Sequence, residues 1–588
     1  MAYALRMIVR RFFLPILLLS ATVGATGAAL QRSDVVFMYQ ANRATYEAYG
    51  ATMVAWGGTP NPAARAEAAG LRFFGSVGMV TEFARYHRRF PDRYEEGLCR
   101  DIEGRPVKVP WLTDHQHEGI PYWWCCTAQP VFRQYLRERV IETVRAGADG
   151  VHIDDHLGTA GGLWLGLCFC DRCVAGFREY LTGLPAEERR ALGVEQPEAY
   201  DYRAEVRRWL AEDPARRRSP TQHPLWASHW TIYQCRAQAA FMQELRDLAA
   251  QTAGRPVPIA ANAGLLWPRH LSDYHTLDLF SAETDHEAAA PGFSDRPLLA
   301  YRLAEAVGRP YAATAGGGDW AFVKEHGRHG LVRGWIALAY AAGQLFMAPH
   351  RQWCYTPEKG THWYEGPADR FAPLYQFVRR NAALLDAFET HADLTVVLPH
   401  RAFVRHPERW FQIADQLAAA NVSYRLLLAG DEIVTRPLRA EDFTDPAPWL
   451  VPDRENLLPT DRALLERHLA ERRTFSEVRE VLARVEPAVR VTAPGPVRVL
   501  PRRRPGAAVV HLLNRDYRPA RDDVEPQRAV RVQVNLAALG VAGASTCRLW
   551  SPESAEPARL PVTDGAVTVP VLGLWCVLEF DPVARAQP

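Results

Sequence analysis

Residues 149–180 read DGVHIDDHLGTAGGLWLGLCFCDRCVAGFREY. A glycine followed by a β-branched, apolar run ending in the adjacent carboxylates Asp154 and Asp155 is the pattern of a parallel strand that is buried on both faces and delivers acids to a loop. Barrel folds keep their chemistry at the C-terminal ends of such strands. The loop beyond carries Cys168, Cys170 and Cys173, and this Cys-x-Cys-x2-Cys spacing can wrap three thiolates around one tetrahedral zinc ion.

Outward from this stretch, short apolar runs alternate with helical patterns. Eight such runs occupy residues 34–40, 51–58, 71–79, 149–156, 256–264, 277–286, 309–317 and 343–350. Eight strands, each followed by a helix, close a (β/α)8 barrel. The expected fold class is therefore α/β, with a (β/α)8 TIM barrel over residues 34–390. The connections flanking strand four are about 70 and about 100 residues long, which places insertions on the active face beside it. Residues 391–488 alternate strand and helix like a small flavodoxin-like α/β domain without a glycine-rich phosphate cradle, so a structural or oligomerising role is expected there, not dinucleotide binding. Residues 489–588 break into short alternating strands separated by Pro and Gly, the signature of an antiparallel β-sandwich.

The 588 residues carry 69 basic and 67 acidic side chains, a balance that favours neither nucleic acid nor an anionic membrane as partner. Residues 1–29 place Arg6, Arg10 and Arg11 before an apolar run ending in small residues, the layout of an export signal, and RRFFL resembles a twin-arginine leader. A periplasmic or secreted location is expected, with no membrane span after the leader because no later run approaches ~20 apolar residues. Of ten cysteines, five fall between residues 125 and 173; in a chain this long such clustering favours metal over a disulfide scaffold. Cys126, Cys125 and Cys99 are the candidates for a fourth zinc ligand, and a closed set of four thiolates makes the ion structural.

Glycosidic cleavage needs one carboxylate against the anomeric carbon and a second acid that stays protonated near neutral pH. Asp154 fits the first role, with Asp155 as the alternative. Successive strand side chains alternate, so both face inward only if the strand has already ended. Strand six ends SAETDHE, which nominates Glu283 as general acid/base across the barrel mouth from strand four, with Asp285 as the fallback. Strand seven, YAATAGGGDW, offers no Glu and only Asp319 beyond its glycines. Trp56, Trp124, His152, Asn262, His286, His350 and Trp353 fall in or just after predicted strands, or in the loops above them, and could wall a sugar site.

Cys126-Thr-Ala-Gln-Pro130 followed by FRQYL, and Cys168-Phe-Cys170-Asp-Arg-Cys173 followed by FREYL, resemble the clan of barrel glycoside hydrolases that includes the zinc-containing β-galactosidases of family 42. The resemblance implies a barrel, an α/β trimerisation-like domain and a small β-sandwich, zinc on Cys126, Cys168, Cys170 and Cys173, and a homo-oligomer. The chain departs from that family where the acids lie. Family 42 carries Asn-Glu at the end of strand four and a nucleophilic Glu on strand seven, whereas this chain has Asp154-Asp155 and no Glu on strand seven. The DGVHID run looks more like α-glycosidases of the amylase, α-galactosidase and α-fucosidase types, in which the Asp ending strand four is the nucleophile. The expectation is an exported, zinc-containing glycoside hydrolase acting on an oligo- or polysaccharide, retaining in mechanism. The alternative is a non-catalytic polysaccharide-binding or scaffolding protein on the same fold.

Overall fold

Each of the eight apolar runs forms a strand in the computed structural model, which describes residues 30–216, 219–470 and 472–580. The export signal expected over residues 1–29 lies outside the described residues. The strands are β1 Val36–Phe37, β2 Met53–Val54, β3 Arg72–Gly78, β4 Gly150–Asp154, β5 Ile259–Ala261, β6 Leu279–Thr284, β7 Tyr311–Ala315 and β8 Leu345–Phe346. They lie side by side in chain order, all parallel. Ala348 donates its N–H to the Val36 carbonyl at 2.7 Å and forms a parallel bridge with Phe37, so the eighth strand meets the first and the sheet closes.

The helices that bear on the site are α1 Phe83–Arg89, α2 Pro130–Arg145, α3 Asp171–Thr182 and α4 Thr231–Ala253. Pro130 opens α2 at a position where the missing N–H costs nothing. Arg133 and Arg137 of α2 both pair with Glu244 of α4, and the Arg133 guanidinium lies 4.4 Å from the Phe241 ring. Among the described residues no helix is long and apolar enough to cross a membrane.

Past the barrel, the strands Leu394–Pro399, Tyr424–Ala429, Trp449–Leu450 and Thr474–Phe475 form a parallel sheet in the spatial order 2-1-3-4, as in flavodoxin-like folds. A six-stranded and a three-stranded antiparallel sheet follow, and valines from both, among them Val499, Val510, Val532 and Val569, bury one shared core. Glu389–Thr390, at the end of the span assigned to the barrel from sequence, pairs with Arg502 and Arg503 and so adds an edge strand to the sandwich.

One buried cluster ties the sandwich to the barrel. Asp295, in the loop after β6, is held by Arg498 at 2.6 Å and Arg515 at 3.0 Å, with the three side chains 16%, 8% and 9% exposed. Burial alone would raise the Asp295 carboxyl, but the two guanidiniums outweigh it and hold it below the usual carboxylate range. A lowered folded-state pKa contributes stability that is complete above the unfolded value of ~3.9 and is lost as the pH falls through the folded value. Asp295→Asn is expected to cost ~3–5 kcal/mol at pH 7, because two buried cations lose their counter-charge. Urea denaturation of both proteins from pH 7 down to pH 3 checks this, and the gap should narrow at the acid end.

Candidate active site

In a closed eight-stranded barrel the inward side chains of alternate strands share a layer. Trp56 after β2, His152 of β4 and Ser281 of β6 form such a layer. Trp56 stacks on the His152 ring at 4.3 Å and donates its indole N–H to the Ser281 carbonyl at 3.3 Å, and His152 Nδ1 lies 2.8 Å from Ser281 Oγ. Two residues further along β4 and β6 the side chains point inward again, one layer nearer the mouth. Those residues are Asp154 and Glu283.

Between them stands Asn262, directly after β5. Its Nδ2 donates to Asp154 Oδ1 at 3.2 Å and to Glu283 Oε2 at 3.4 Å, while its Oδ1 accepts the Glu283 backbone N–H at 3.1 Å. One NH2 group therefore bridges the two carboxylates. Strand six is not across the mouth from strand four, as the sequence reading held; it is the next strand but one, and a single intervening strand sets the spacing. Both carboxylates are half-buried and reach solvent.

Their environments differ. Burial, and next the charge of Asp154, push Glu283 up to about 7, against the one side-chain hydrogen bond it accepts from Asn262. Burial also raises Asp154, but three donors oppose the rise: Asn262 Nδ2, Thr81 Oγ1 at 3.3 Å and the Asp155 N–H at 3.0 Å. Three donors against one favour the negative charge on Asp154 and the proton on Glu283. β4 ends at Asp154, and Asp155 adopts the left-handed conformation, φ 51°, so the alternation that would have turned it outward no longer applies. Burial and the charges of Asp154 and Glu283 raise its carboxyl well above the ordinary Asp range.

Other nominated residues fall elsewhere. Asp285 is exposed and ion-paired to Arg296 at 3.4 Å, outside the carboxylate group. Trp124 is only 2% exposed; it donates to the Gly158 carbonyl at 3.1 Å and packs on Trp111, so it belongs to the packing under the insertion and cannot touch a sugar. His286 is equally buried, with Nδ1 on the Thr284 carbonyl and its ring on Trp335, and burial lowers it to about 4. His152 lies in the barrel floor, wholly buried, and burial, with the neighbouring His156, lowers its pKa well below the ordinary histidine value. His350 is half-buried, its Nε2 on the Gln40 carbonyl at 3.3 Å. Trp353 is half-buried on the hairpin after β8, stacked with Tyr355 at 5.7 Å. It lies so close over Gly317 that a Cβ there would come within 2.5 Å of its ring.

Tyr39 and Thr81 were missed. Tyr39 follows β1; burial and then the charges of Glu283 and Asp154 raise its phenol, and its ring meets Trp56 and Trp363 edge-on. Its position just past a strand is the same signal that nominated Asn262. Asp319, the one acid after β7, accepts the N–H groups of His286 and Ala288 at 2.9 and 2.8 Å, and so braces the loop after β6.

The Cys126, Cys168, Cys170 and Cys173 sulfurs lie within 4.8 Å of one another, all buried. Cys126 Sγ is 3.7 Å from Cys170 Sγ and 3.6 Å from Cys173 Sγ, near the ~3.75 Å edge of a tetrahedron with Zn–S ~2.3 Å and far from the ~2.05 Å of a disulfide. The Arg100 N–H and the Thr159 hydroxyl point at Cys168 and Cys126, as donors to thiolates do. Cys125 turns its thiol to the Trp123 carbonyl, and Cys99 lies beside Cys126 and Cys168. The donor set fits zinc.

No protein-family model matches the chain. In sequence it is similar to two proteins named alpha-agarase. The one from Thalassotalea agarivorans is 24% identical over 624 residues, covering 93% of this chain and 40% of the relative; the one from Alteromonas agarilytica is 22% identical over 607 residues, covering 93% and 41%. The chain thus spans about two fifths of the length of the curated relatives it matches. Among solved structures it is similar to alpha-L-fucosidase isoenzyme 2 from Paenibacillus thiaminolyticus, at 13% identity and TM-score 0.56, covering 94% of this chain and 100% of that one. It is also similar to a beta-galactosidase from Bacillus circulans sp. alkalophilus, at 12% identity and TM-score 0.56 with 93% and 99% covered. A GH42 beta-galactosidase from G. stearothermophilus is 10% identical, with TM-score 0.54 and 94% and 99% covered. At these identities the likeness is one of architecture, and the chain has the fold of the barrel glycoside hydrolases, family 42 among them.

Proposed function

We propose that the chain is a glycoside hydrolase that cleaves a polysaccharide with retention, using Asp154 as nucleophile and Glu283 as general acid/base. The observation that carries this reading is the single Asn262 NH2 group shared by two carboxylates, one of which keeps its proton up to about pH 7. Asp154 Oδ1 and Glu283 Oε2 can be no farther apart than the sum of the two hydrogen bonds. That limit lies at the lower edge of the ~6.5–9.5 Å by which inverting pairs leave room for water, and it supports the ~5–5.5 Å retaining arrangement.

In the first half-reaction Glu283 gives its proton to the glycosidic oxygen as that bond breaks, and Asp154 bonds to the anomeric carbon. In the second, the Glu283 carboxylate takes a proton from water, the water oxygen replaces Asp154 on the anomeric carbon, and both acids return to their starting forms. Asp155 holds its proton to a higher pH than an ordinary Asp, which suits it to donate a hydrogen bond to a sugar hydroxyl. Trp164 and Trp267, 56% and 68% exposed in the loops after β4 and β5, offer faces of the kind sugar rings stack on. The names of the similar proteins support an agar-type polysaccharide with α-linkages as the substrate. Cys126, Cys168, Cys170 and Cys173 would hold a zinc ion whose closed shell supplies cross-linking and no chemistry. The basic and apolar leader of residues 1–29 supports export.

Asp154→Asn and Glu283→Gln should each fold with unchanged melting temperature. On agar oligosaccharides Glu283→Gln should lose ~10²–10⁴ in kcat/KM, and Asp154→Asn should lose all measurable turnover. Full activity in Asp154→Asn would remove it from the mechanism. The acid form of Glu283 is the active one and is depleted as pH rises through about 7, so kcat/KM of the native protein should fall on the alkaline side of that value. Proton NMR of the first-formed sugar anomer tests retention. Metal analysis should find that Cys173→Ser loses one zinc per chain, with a stability loss of several kcal/mol, up to ~10, in thermal denaturation.

A further inference from the structure

A second group of metal-ligating side chains lies outside the cysteine cluster. We propose that His87, His117 and Glu118 form a binding site for a borderline divalent cation such as Zn2+. His87 is on α1, and His117 and Glu118 are on the hairpin that pairs Gln116–His117 with Ile120–Pro121. Their donor atoms lie within 4.8 Å of one another. His87 Nδ1 is 3.9 Å from one Glu118 oxygen and His117 Nε2 is 3.8 Å from the other.

These separations are too long for N–H···O hydrogen bonds, which end near ~3.2 Å. Both nitrogens are shielded from solvent, and neither has a hydrogen-bond partner. His87 as a whole is 7% exposed. Other buried histidine nitrogens in this protein also lack partners, but these two face the two oxygens of a single carboxylate, an arrangement that a shared acceptor of lone pairs would complete. A tetrahedral cation ~2.0–2.2 Å from each donor sets neighbouring donors ~3.4 Å apart, so these side chains need to close by only about half an ångström to seat one. Two imidazoles and a carboxylate are the ligands that zinc, nickel and cobalt take, whereas magnesium and calcium prefer oxygen alone. The Glu118 side chain is 67% exposed, which leaves a side of the site open to water.

The turn agrees. Glu118 has φ 52° and Gly119 φ 79°, so the hairpin tip has both central residues in the left-handed region, where Asn, Asp or Gly is the usual choice. A glutamate is held there at a conformational cost, with its carboxylate between the two histidines. An ion in this place fastens the hairpin to α1, whose chain has just left Thr81, the donor to Asp154.

The test uses the full chain with all its cysteines, exchanged against a weak chelator and titrated with Co2+ while absorption is recorded. One Co2+ per chain should bind with visible d–d bands and no thiolate charge-transfer absorption, which separates it from ions on sulfur. His117→Ala and, as an isosteric second variant, Glu118→Gln should weaken that event at least ~10-fold and leave sulfur-bound metal unchanged. Absence of the sulfur-free event in the native chain, or equal affinity in the folded variants, would overturn the assignment.

Discussion

The site rests on one side-chain amide. Two acids this close hold one charge and one proton between them, and the NH2 of Asn262, placed by β5 between the strands that carry Asp154 and Glu283, donates to both. Parallel register does the positioning: Gly78 pairs with Asp154, Ile153 with Ala261, and the Asn262 N–H bonds the Ile153 carbonyl at 3.1 Å. A shift of one residue in any of these strands would turn its functional side chain out of the barrel. Below, the Trp56, His152 and Ser281 layer fills the interior so that the acids sit on a packed floor. That floor and the surrounding walls desolvate Glu283, and desolvation is the larger cause of its raised pKa.

The insertions that flank β4 are braced by polar contacts running from the cysteine cluster toward the acids. The Thr159 hydroxyl meets Cys126 Sγ and the Thr127 hydroxyl, and Thr127 donates to Gln238 of α4 at 2.7 Å. Gln238 donates onward to the His156 carbonyl at 2.7 Å, and His156 Nδ1 lies 3.1 Å from the Asn262 carbonyl. His156 is wholly buried with Asp273 at 3.4 Å, and that carboxylate, together with the backbone of Asn262 and His270, outweighs burial and raises the histidine pKa. The cysteines thus stand at one end of a continuous support whose other end is the residue bridging the acids. Surface ion pairs scattered over the same insertions contribute only ~0–1 kcal/mol each, so this buried polar chain is the stronger brace between them.

Much of this was legible in the linear chain. Period-two and continuous apolar runs located all eight barrel strands, and the rule that chemistry sits at strand C-termini nominated Asp154, Glu283 and Asn262. Cysteine spacing picked out three of the four clustered thiols, and a short motif added Cys126. The rule does not separate solvent-reaching positions from buried ones, however, because neighbouring positions beyond a strand end can point opposite ways. His286 and Trp124 satisfied it and proved to be packing residues, while Tyr39 satisfied it and went unnoticed.

By itself the sequence determined the strand count, the chain order of the sheet, the change from barrel to flavodoxin-like sheet to sandwich, and the residue types available for acid chemistry. These follow from local periodicity and composition, which each segment carries regardless of its neighbours. Only the tertiary structure decided which acid keeps its proton, which thiol completes the cysteine set, and that His87 meets His117 and Glu118. Desolvation, shared donors and metal-sized gaps arise between segments distant along the chain, so their strengths depend on distances that no single segment encodes.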